Sequence, residues 1–164
     1  MNKIINIKTN KAIKEIRNFR DKKYSLIEIK IKNVHLRELN KLMSFELFDK
    51  NDLYINSVTL WELMQPIGNS GSHNYHELSP EDICSALNSI TTPKYIFRVI
   101  NKRYAIVPVL ISSYDEPLMI VIEKDAGLIN NQNAKINKIV TMYPRNDLDK
   151  YLEGVEDKEI LYKK

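Results

Sequence analysis

Histidine is the side chain best suited to proton transfer near neutral pH, and this chain has three. Two of them, His73 and His76, lie in a polar loop that runs from Gly68 to Glu77. His35 begins an apolar helical pattern, and we expect it to be an ordinary surface histidine. Acid–base chemistry in this chain is therefore predicted to depend on His76 first and on His73 second.

A metal site is another kind of chemistry that this loop would suit. A His-x-x-His pair followed by Glu77 offers ligands that zinc accepts. The same spacing occurs often by chance in loops, so we predict that the chain binds neither a metal nor another cofactor. Phosphate-binding Gly-rich loops and the HExxH, paired CxxC and GxSxG motifs are absent from the sequence.

Hydroxyl groups and cations that suit a phosphate group lie near predicted strand ends in the second half of the chain. RNA carries its own nucleophile, the 2′-OH, so its cleavage needs a base, an acid and groups that stabilise a pentacoordinate phosphate. Each of these side chains also has an ordinary explanation as a strand or surface residue. The predicted catalytic residues are His76, His73, Arg103, Thr141 and Tyr143, and the predicted substrate-binding residues are Lys102, Lys124, Lys138 and Arg145.

The composition of the 164 residues is that of one globular domain, with 43% hydrophobic and 28% charged residues. No apolar run approaches the roughly 18 residues of a membrane span, and we predict no membrane partner. The net charge of +4 favours a polyanionic partner, and the excess of Lys and Arg lies in residues 1–41. Two interpretations of this segment remain open, a solvated helix face and a surface that faces RNA or another partner.

The single cysteine and the single tryptophan are expected to be structural. Cys84 lies within an amphipathic helical pattern, which favours a buried, inert thiol over a nucleophile. Trp61 lies among the apolar residues of another helical pattern. We expect it to be a core or partly buried anchor rather than a base-stacking residue.

Helical periodicity dominates the first half of the chain, and strand periodicity dominates the second. Short connections between the later strands require antiparallel pairing. The sequence therefore predicts an α+β fold in which N-terminal helices precede a four- to five-stranded antiparallel sheet. The predicted helices begin at Thr9, Leu36, Ser57, Ser79 and Asp147, and the predicted strands are 26–31, 53–55, 95–100, 104–112, 118–123, 135–143 and 160–162, with a polar loop over 125–134.

The order of these patterns from Asp52 to Lys163, about two-thirds of the chain, resembles the phage-associated branch of the barnase–EndoU–colicin–RelE (BECR) nuclease superfamily. In that family the fourth strand ends in Ser-x-Tyr, so Thr141 stands in place of the serine and keeps the hydroxyl. The segments that carry the resemblance are Asp52-Leu53-Tyr54-Ile55 before a helix, His76-Glu77-Leu78-Ser79 before the next, the passage from Ala86 to Phe97, the apolar strands over 107–122, the strand over 136–143 and the closing Ile160-Leu161-Tyr162.

The resemblance implies a barnase-like nuclease domain over residues 51–164 that follows a basic helical extension over residues 1–50. It implies a metal-independent ribonuclease toxin that acts on RNA, with tRNA among the substrates, in the cytoplasm. Such domains end MuF-like and other polymorphic toxins, so the protein would be delivered from another cell or encoded by a phage. Toxins of this type usually need a cognate immunity protein.

Two alternatives to a ribonuclease stay open on the sequence. The first is a non-catalytic binding module, such as a phage structural or accessory protein, that would bind through the basic segment over residues 1–41. The second is an ADP-ribosyltransferase toxin, which would need a catalytic glutamate at a strand end. Glu123 could supply that glutamate, but no partner motif accompanies it.

Overall fold

The computed structural model describes residues 4–8, 12–68, 75–109, 116–129 and 131–164, with side chains from residue 12 onward. Within these ranges eight strands form one sheet, and helices pack on both of its faces. The predicted α+β class is confirmed. The strands are β1 (Ile4–Lys8), β2 (Glu28–Lys32), β3 (Leu53–Asn56), β4 (Pro93–Ile100), β5 (Arg103–Pro108), β6 (Leu118–Leu128), β7 (Asn131–Pro144) and β8 (Ile160–Lys163), and the α-helices are α1 (Ile13–Asp21), α2 (Ser57–Leu63), α3 (Pro80–Ser89) and α4 (Leu148–Glu153).

The sheet is larger than predicted and mixed, in the order β1-β2-β3-β7-β6-β5-β4-β8. The prediction of a four- to five-stranded antiparallel sheet is therefore wrong. The run from β4 to β7 is antiparallel, as its short connections require. However, β3 joins β7 in parallel, and β1 joins β2 in parallel. β3 and β7 are distant along the chain, and β1 connects to β2 through α1, so the rule for short connections applies to neither pair.

The β6–β7 hairpin is also longer than predicted. The polar segment over 125–134 was expected to be a loop, but β6 continues to Leu128 and β7 begins at Asn131. An apolar cluster of Tyr54, Ala126 and Ile136 packs this part of the hairpin against β3. The polar residues at the start of β7 are exposed, which explains why they lack the apolar alternation of a half-buried strand.

An ion pair fixes the same end of the hairpin to β2. Lys138 Nζ lies 2.9 Å from Glu28 Oε1 and donates a second hydrogen bond to the Gly127 carbonyl at 3.0 Å. The Ile129 N–H donates to Glu28 Oε1 at 3.2 Å. The Glu28 side chain is only 3% exposed and the Lys138 side chain 14%, so both charges are largely removed from water.

The two faces of the sheet differ in what covers them. The larger core lies between one face and helices α1, α2 and α3, and its strand residues include Ile96, Ile106, Ile120, Ile139 and Met142. On the opposite face, α4 packs over a smaller cluster that includes Phe97, Ala105, Val107, Met119 and Leu152. The second face is called the α4 face below. Because α4 is short, it covers only one end of this face.

Helix starts agree with the sequence in one case and differ in another. Ser79 caps α3 as predicted, because its Oγ accepts the Asp82 N–H at 3.0 Å and the Asp82 carboxylate accepts the Ser79 N–H. Ser57 does not cap α2 as predicted. Asn56 provides the cap. Ser57 Oγ instead accepts the Ile27 N–H at 2.9 Å and donates to the Ser25 carbonyl at 3.0 Å, just before β2. The predicted cap Thr9 lies outside the described residues, and the segment that begins at Leu36 is a 3-10 helix (Leu36–Leu42).

The first fifty residues share the sheet and the core of the rest of the chain. Strand β2 pairs with β3, and α1 packs against α2 and α3. Ile16 and Phe19 of α1 lie in the same core cluster as Ile139. The boundary at residue 50, between an N-terminal extension and a nuclease domain, stays a prediction. Among the described residues, no helix is long and apolar enough to cross a membrane.

Candidate functional site

The segment that carries His76 is fixed at the end of α2. The Glu77 N–H donates to the Gln65 carbonyl at 3.0 Å, and the Leu78 N–H donates to the Leu63 carbonyl at 2.9 Å. These two bonds fix the segment that carries His76, directly before the cap of α3. The imidazole is therefore positioned by backbone hydrogen bonds on the residues that follow it, and its own nitrogens stay available for other contacts.

The His76 ring contacts two of the residues that the sequence singled out. Its Nε2 lies 3.2 Å from Thr141 Oγ1. Its ring centroid lies 5.4 Å from that of Tyr143, with 34° between the ring planes. The structure thus brings together His76, Thr141 and Tyr143, although 65 positions separate the first two along the chain.

A bulge in β7 lies beside this contact. Val121 of β6 pairs with Thr141, whereas the next residue, Ile122, pairs with Ile139. Val140 is thus the extra residue on β7, and bulges of this kind redirect neighbouring side chains next to functional sites. Strand β3 pairs with β7 only at Asn137 and Lys138, within the described residues. Beyond that point α2 contacts β7 in place of another strand.

Strand register places further polar residues on the α4 face with Thr141 and Tyr143. Paired residues of neighbouring strands point to the same face, and so do residues two apart along one strand. Val121 pairs with both Thr141 and Ala105, and Arg103 pairs with Glu123. Arg103 is therefore two strands and two residues from Thr141, roughly 12 Å between Cα atoms.

Arg103 and Glu123 form a cross-strand ion pair on this face. Arg103 Nε lies 3.7 Å from Glu123 Oε1, and both side chains are partly exposed. Beside this ion pair, the Lys124 N–H of β6 donates a hydrogen bond to the Lys102 carbonyl of the β4–β5 turn at 2.9 Å. Lys102 is exposed and Lys124 is intermediate in exposure, so three predicted cations cluster at one end of β5 and β6.

Burial lowers the pKa of His76 below its ordinary value of 6.5, because the imidazolium loses hydration there. The ring is therefore neutral at pH 7 and can accept a proton. The hydroxyl of Thr141 fixes one ring nitrogen, either by donating to Nε2 or by accepting from it. If the hydroxyl accepts from Nε2, Nδ1 carries the lone pair that can accept a proton. Either way, the contact fixes the orientation of the ring.

Two of the predicted substrate-binding residues already have protein partners. Lys138 is committed to Glu28 and to the Gly127 carbonyl, away from His76. The guanidinium of Arg145 lies 3.8 Å above the ring of Tyr151. Its Nε is 2.9 Å from Asp147 Oδ1, without the alignment of a hydrogen bond. His73 lies outside the described residues, so its place relative to His76 stays a prediction.

An aromatic and cationic cluster next to His76 was not assigned a function from the sequence. Tyr75 directly precedes His76, and its ring meets Trp61 edge to face, with centroids 5.6 Å apart and 88° between planes. Lys23 Nζ lies 4.7 Å from the centroid of the Trp61 ring. Trp61 is partly exposed on the outer side of α2, because Ser57, Leu60 and Leu63 form the buried side. In the sequence, the adjacency of Tyr75 and His76 was the sign that could have pointed to this cluster.

One surface groove among the described residues has a lining that does not include His76. Its volume is about 610 Å³, and it runs between the β4–β5 turn and the chain that follows α4. Its cations are balanced by carboxylates, since Arg98 pairs with Glu159 and Lys158 pairs with Glu156. No histidine lines it, so we place the candidate site at His76 on the grounds of chemistry.

Within the described ranges, the remaining ionisable groups do not form a second centre. Cys84 is buried, and burial raises the pKa of its thiol, which agrees with the inert role expected for it. Among the described residues, no group of three His, Cys, Asp or Glu side chains lies close enough to hold a metal ion. A site that includes His73 is not covered by that statement.

Comparison of the chain with family models, with curated proteins and with solved structures finds no match. The function is therefore inferred from the chemistry of the site.

Proposed function

We propose that this protein is a metal-independent ribonuclease toxin domain, related to the phage-associated branch of the BECR nuclease superfamily. The observation that supports the proposal most is the contact between His76 Nε2 and Thr141 Oγ1 on the α4 face. It joins an acid–base residue of one segment to the hydroxyl and the tyrosine at the end of a central strand. Arg103 lies on the same face, within a distance that one bound nucleotide strand would bridge.

His76 acts as the general base in this proposal. Its neutral imidazole accepts the proton of the substrate 2′-OH, and the 2′-oxygen attacks the adjacent phosphorus. The O2′–P bond forms as the P–O5′ bond breaks, and the leaving 5′-oxygen takes a proton from water. The products are a 2′,3′-cyclic phosphate and a 5′-hydroxyl. Thr141 positions the imidazole for this transfer.

Arg103 and Tyr143 stabilise the phosphate as its charge increases. Electrostatic stabilisation of this kind is usually the largest contribution to catalysis. Arg103 is paired with Glu123 at 3.7 Å, a long contact on partly exposed side chains that a phosphate can replace at small cost. Lys102 and Lys124 add positive charge beside Arg103, whereas Lys138 and Arg145 are paired with Glu28 and Asp147.

The biological setting follows from the same proposal. The substrate is cytoplasmic RNA, with tRNA as the first to test, and no cofactor is needed. The protein reaches it after delivery from another cell or by expression from a phage genome. A cognate immunity protein would protect the producing cell by covering His76 and the α4 face.

Purified protein incubated with total tRNA in excess EDTA tests the proposal. Wild-type protein should yield discrete fragments with cyclic phosphate ends, and His76→Ala should yield none. His35→Ala is the matched control, because His35 is exposed and precedes the 3-10 helix Leu36–Leu42. Equal cleavage by His76→Ala would exclude His76 as the base. Intact RNA from folded wild-type protein would exclude the nuclease and favour the non-catalytic binding module.

A further inference from the structure

A second surface adjoins His76 and is built from aromatic rings and lysines. It consists of Lys22, Lys23, Tyr24, Trp61 and Tyr75, and is called the aromatic patch below. Lys22 Nζ lies 5.1 Å from the ring of Tyr24, and Lys23 Nζ lies 4.7 Å from the ring of Trp61. Both lysines are exposed, and neither forms an ion pair within the described part of the chain.

The patch and the candidate site share one short segment. Tyr75 and His76 are neighbours, so their Cα atoms are about 3.8 Å apart. Tyr75 contacts Trp61, while His76 contacts Thr141 and Tyr143. A ligand whose phosphate lies at His76 therefore has its neighbouring group within reach of Tyr75 and Trp61.

The chemistry of the patch matches a nucleotide of a single strand. Exposed aromatic rings bind bases by stacking, and nearby cations bind the backbone phosphates. A base in a duplex offers neither face for stacking on protein, so an unpaired base is required. Lys23 has a flexible stem, so its ammonium can leave the Trp61 ring for a phosphate when a base stacks there.

We infer that Trp61 and Tyr75, with Lys22 and Lys23, form a subsite that binds an unpaired nucleobase next to the phosphate at His76. The inference rests on the proposed function and specifies its substrate as a single-stranded segment of RNA, such as a loop. The basic first segment of the chain then contributes to binding through the two lysines that follow α1. The sequence favoured a core or partly buried anchor for Trp61, and its intermediate exposure agrees with that expectation. The added binding role rests on its contacts with Tyr75 and Lys23.

Because Trp61 is the only tryptophan, its fluorescence reports directly on the patch. The probe is a 2′-O-methyl RNA oligonucleotide, which cannot be cleaved because it lacks the 2′-OH. Single-stranded probe should quench the fluorescence saturably, whereas the same sequence in a duplex should not. Fluorescence anisotropy of a labelled copy gives Kd for the variants without relying on cleavage.

Trp61→Leu should raise Kd for the single-stranded probe by about 5- to 150-fold, the range expected for one lost stacking contact. Trp61→Phe should recover part of that loss, and Lys23→Gln should weaken binding and its dependence on salt together. Phe45→Leu is the control, because it removes an aromatic ring that is 47% exposed elsewhere on the surface. Circular dichroism verifies that each variant is folded.

Separate results identify which proposal fails. If wild-type protein cleaves RNA but Trp61→Leu binds the probe as well as wild type, the subsite is excluded and the nuclease stands. If the probe quenches Trp61 and Trp61→Leu weakens binding, but wild-type protein leaves RNA intact, the subsite stands and the nuclease is excluded. Equal quenching by duplex and single strand would overturn the requirement for an unpaired base.

Discussion

Lys138 tests whether a cation near a strand end stabilises the fold or binds RNA. Its position near the end of a strand suggested phosphate binding, but its ammonium contacts Glu28 Oε1 at 2.9 Å and the Gly127 carbonyl at 3.0 Å. We predict that Lys138→Met destabilises the protein and does not act through RNA binding. The reason is that Glu28, only 3% exposed, would be left with a single donor among the described residues, the Ile129 N–H.

The magnitude follows from the burial of the pair. Removing one partner of a buried ion pair costs about 3–5 kcal/mol, because the other charge is left without compensation. Glu28 is a sensitive case, since its Oε2 is already buried without a hydrogen-bond partner in the described structure. For a chain of 164 residues this loss corresponds to a fall in Tm of about 6–20 °C. Replacing both residues, Glu28→Leu with Lys138→Met, should restore most of the stability, because no buried charge remains.

Urea unfolding followed by Trp61 fluorescence measures Lys138→Met, Glu28→Leu and the double variant, and together with wild type these give a double-mutant cycle. Lys135→Met is the matched control on the same strand, and as an exposed substitution it should change the unfolding free energy by less than about 0.5 kcal/mol. The reasoning fails if Lys138→Met loses less than about 1 kcal/mol, or if the double variant is no more stable than the single one. Weaker RNA binding at unchanged stability would return Lys138 to the substrate site.

Three further predictions concern the candidate site and its support. The cleavage rate should rise with pH through a midpoint below 6.5, because burial lowers the pKa of His76 and the base must be neutral. A midpoint above 6.5 in the pH–rate profile would contradict this. The same shift stabilises the fold above pH 6.5, and that stabilisation is lost as the pH falls through the folded-state pKa. Thr141→Val should lower the cleavage rate by about 10- to 100-fold without unfolding the protein, which is part of the usual contribution of a general base. Thr141→Ser should retain the wild-type rate, and equal rates for the two variants would remove Thr141 from the mechanism. Ser79→Ala should lower the unfolding free energy by about 1 kcal/mol through loss of the α3 cap, measured by urea unfolding, and an unchanged midpoint would count against that cap.

Local signals predicted the parts of the fold that depend on neighbours in sequence. The capping box at Ser79 is contained within four residues, and the antiparallel order of β4 to β7 follows from short connections. The attachment of β1, β2 and β3 to β7 could not be predicted in this way. Parallel pairing of distant segments leaves no mark in local periodicity, so the sheet was expected to be about half its observed size.

The candidate site was predictable to a similar degree. A histidine loop and a strand ending in Thr141 and Tyr143 are visible in the sequence, and the structure places His76 beside both. The partners of the lysines are not visible, because Glu28 and Lys138 are 110 positions apart. Whether a cation is free for a substrate depends on such distant pairs. The partly exposed position of Trp61 likewise depends on which side of α2 meets the core.

The parallel pairing of β3 with β7 also constrains how the chain folds during its synthesis. Leu53 pairs with Asn137, so β1 to β3 cannot complete their sheet until residues about 84 positions later have been made. At about 5–20 residues per second, that interval lasts about 4–17 s. His76 meets Thr141 only after the same delay, since Thr141 follows Asn137 along β7. A nascent chain that ends before β7 therefore lacks an assembled site, and the proposed nuclease becomes active only after β7 has been made.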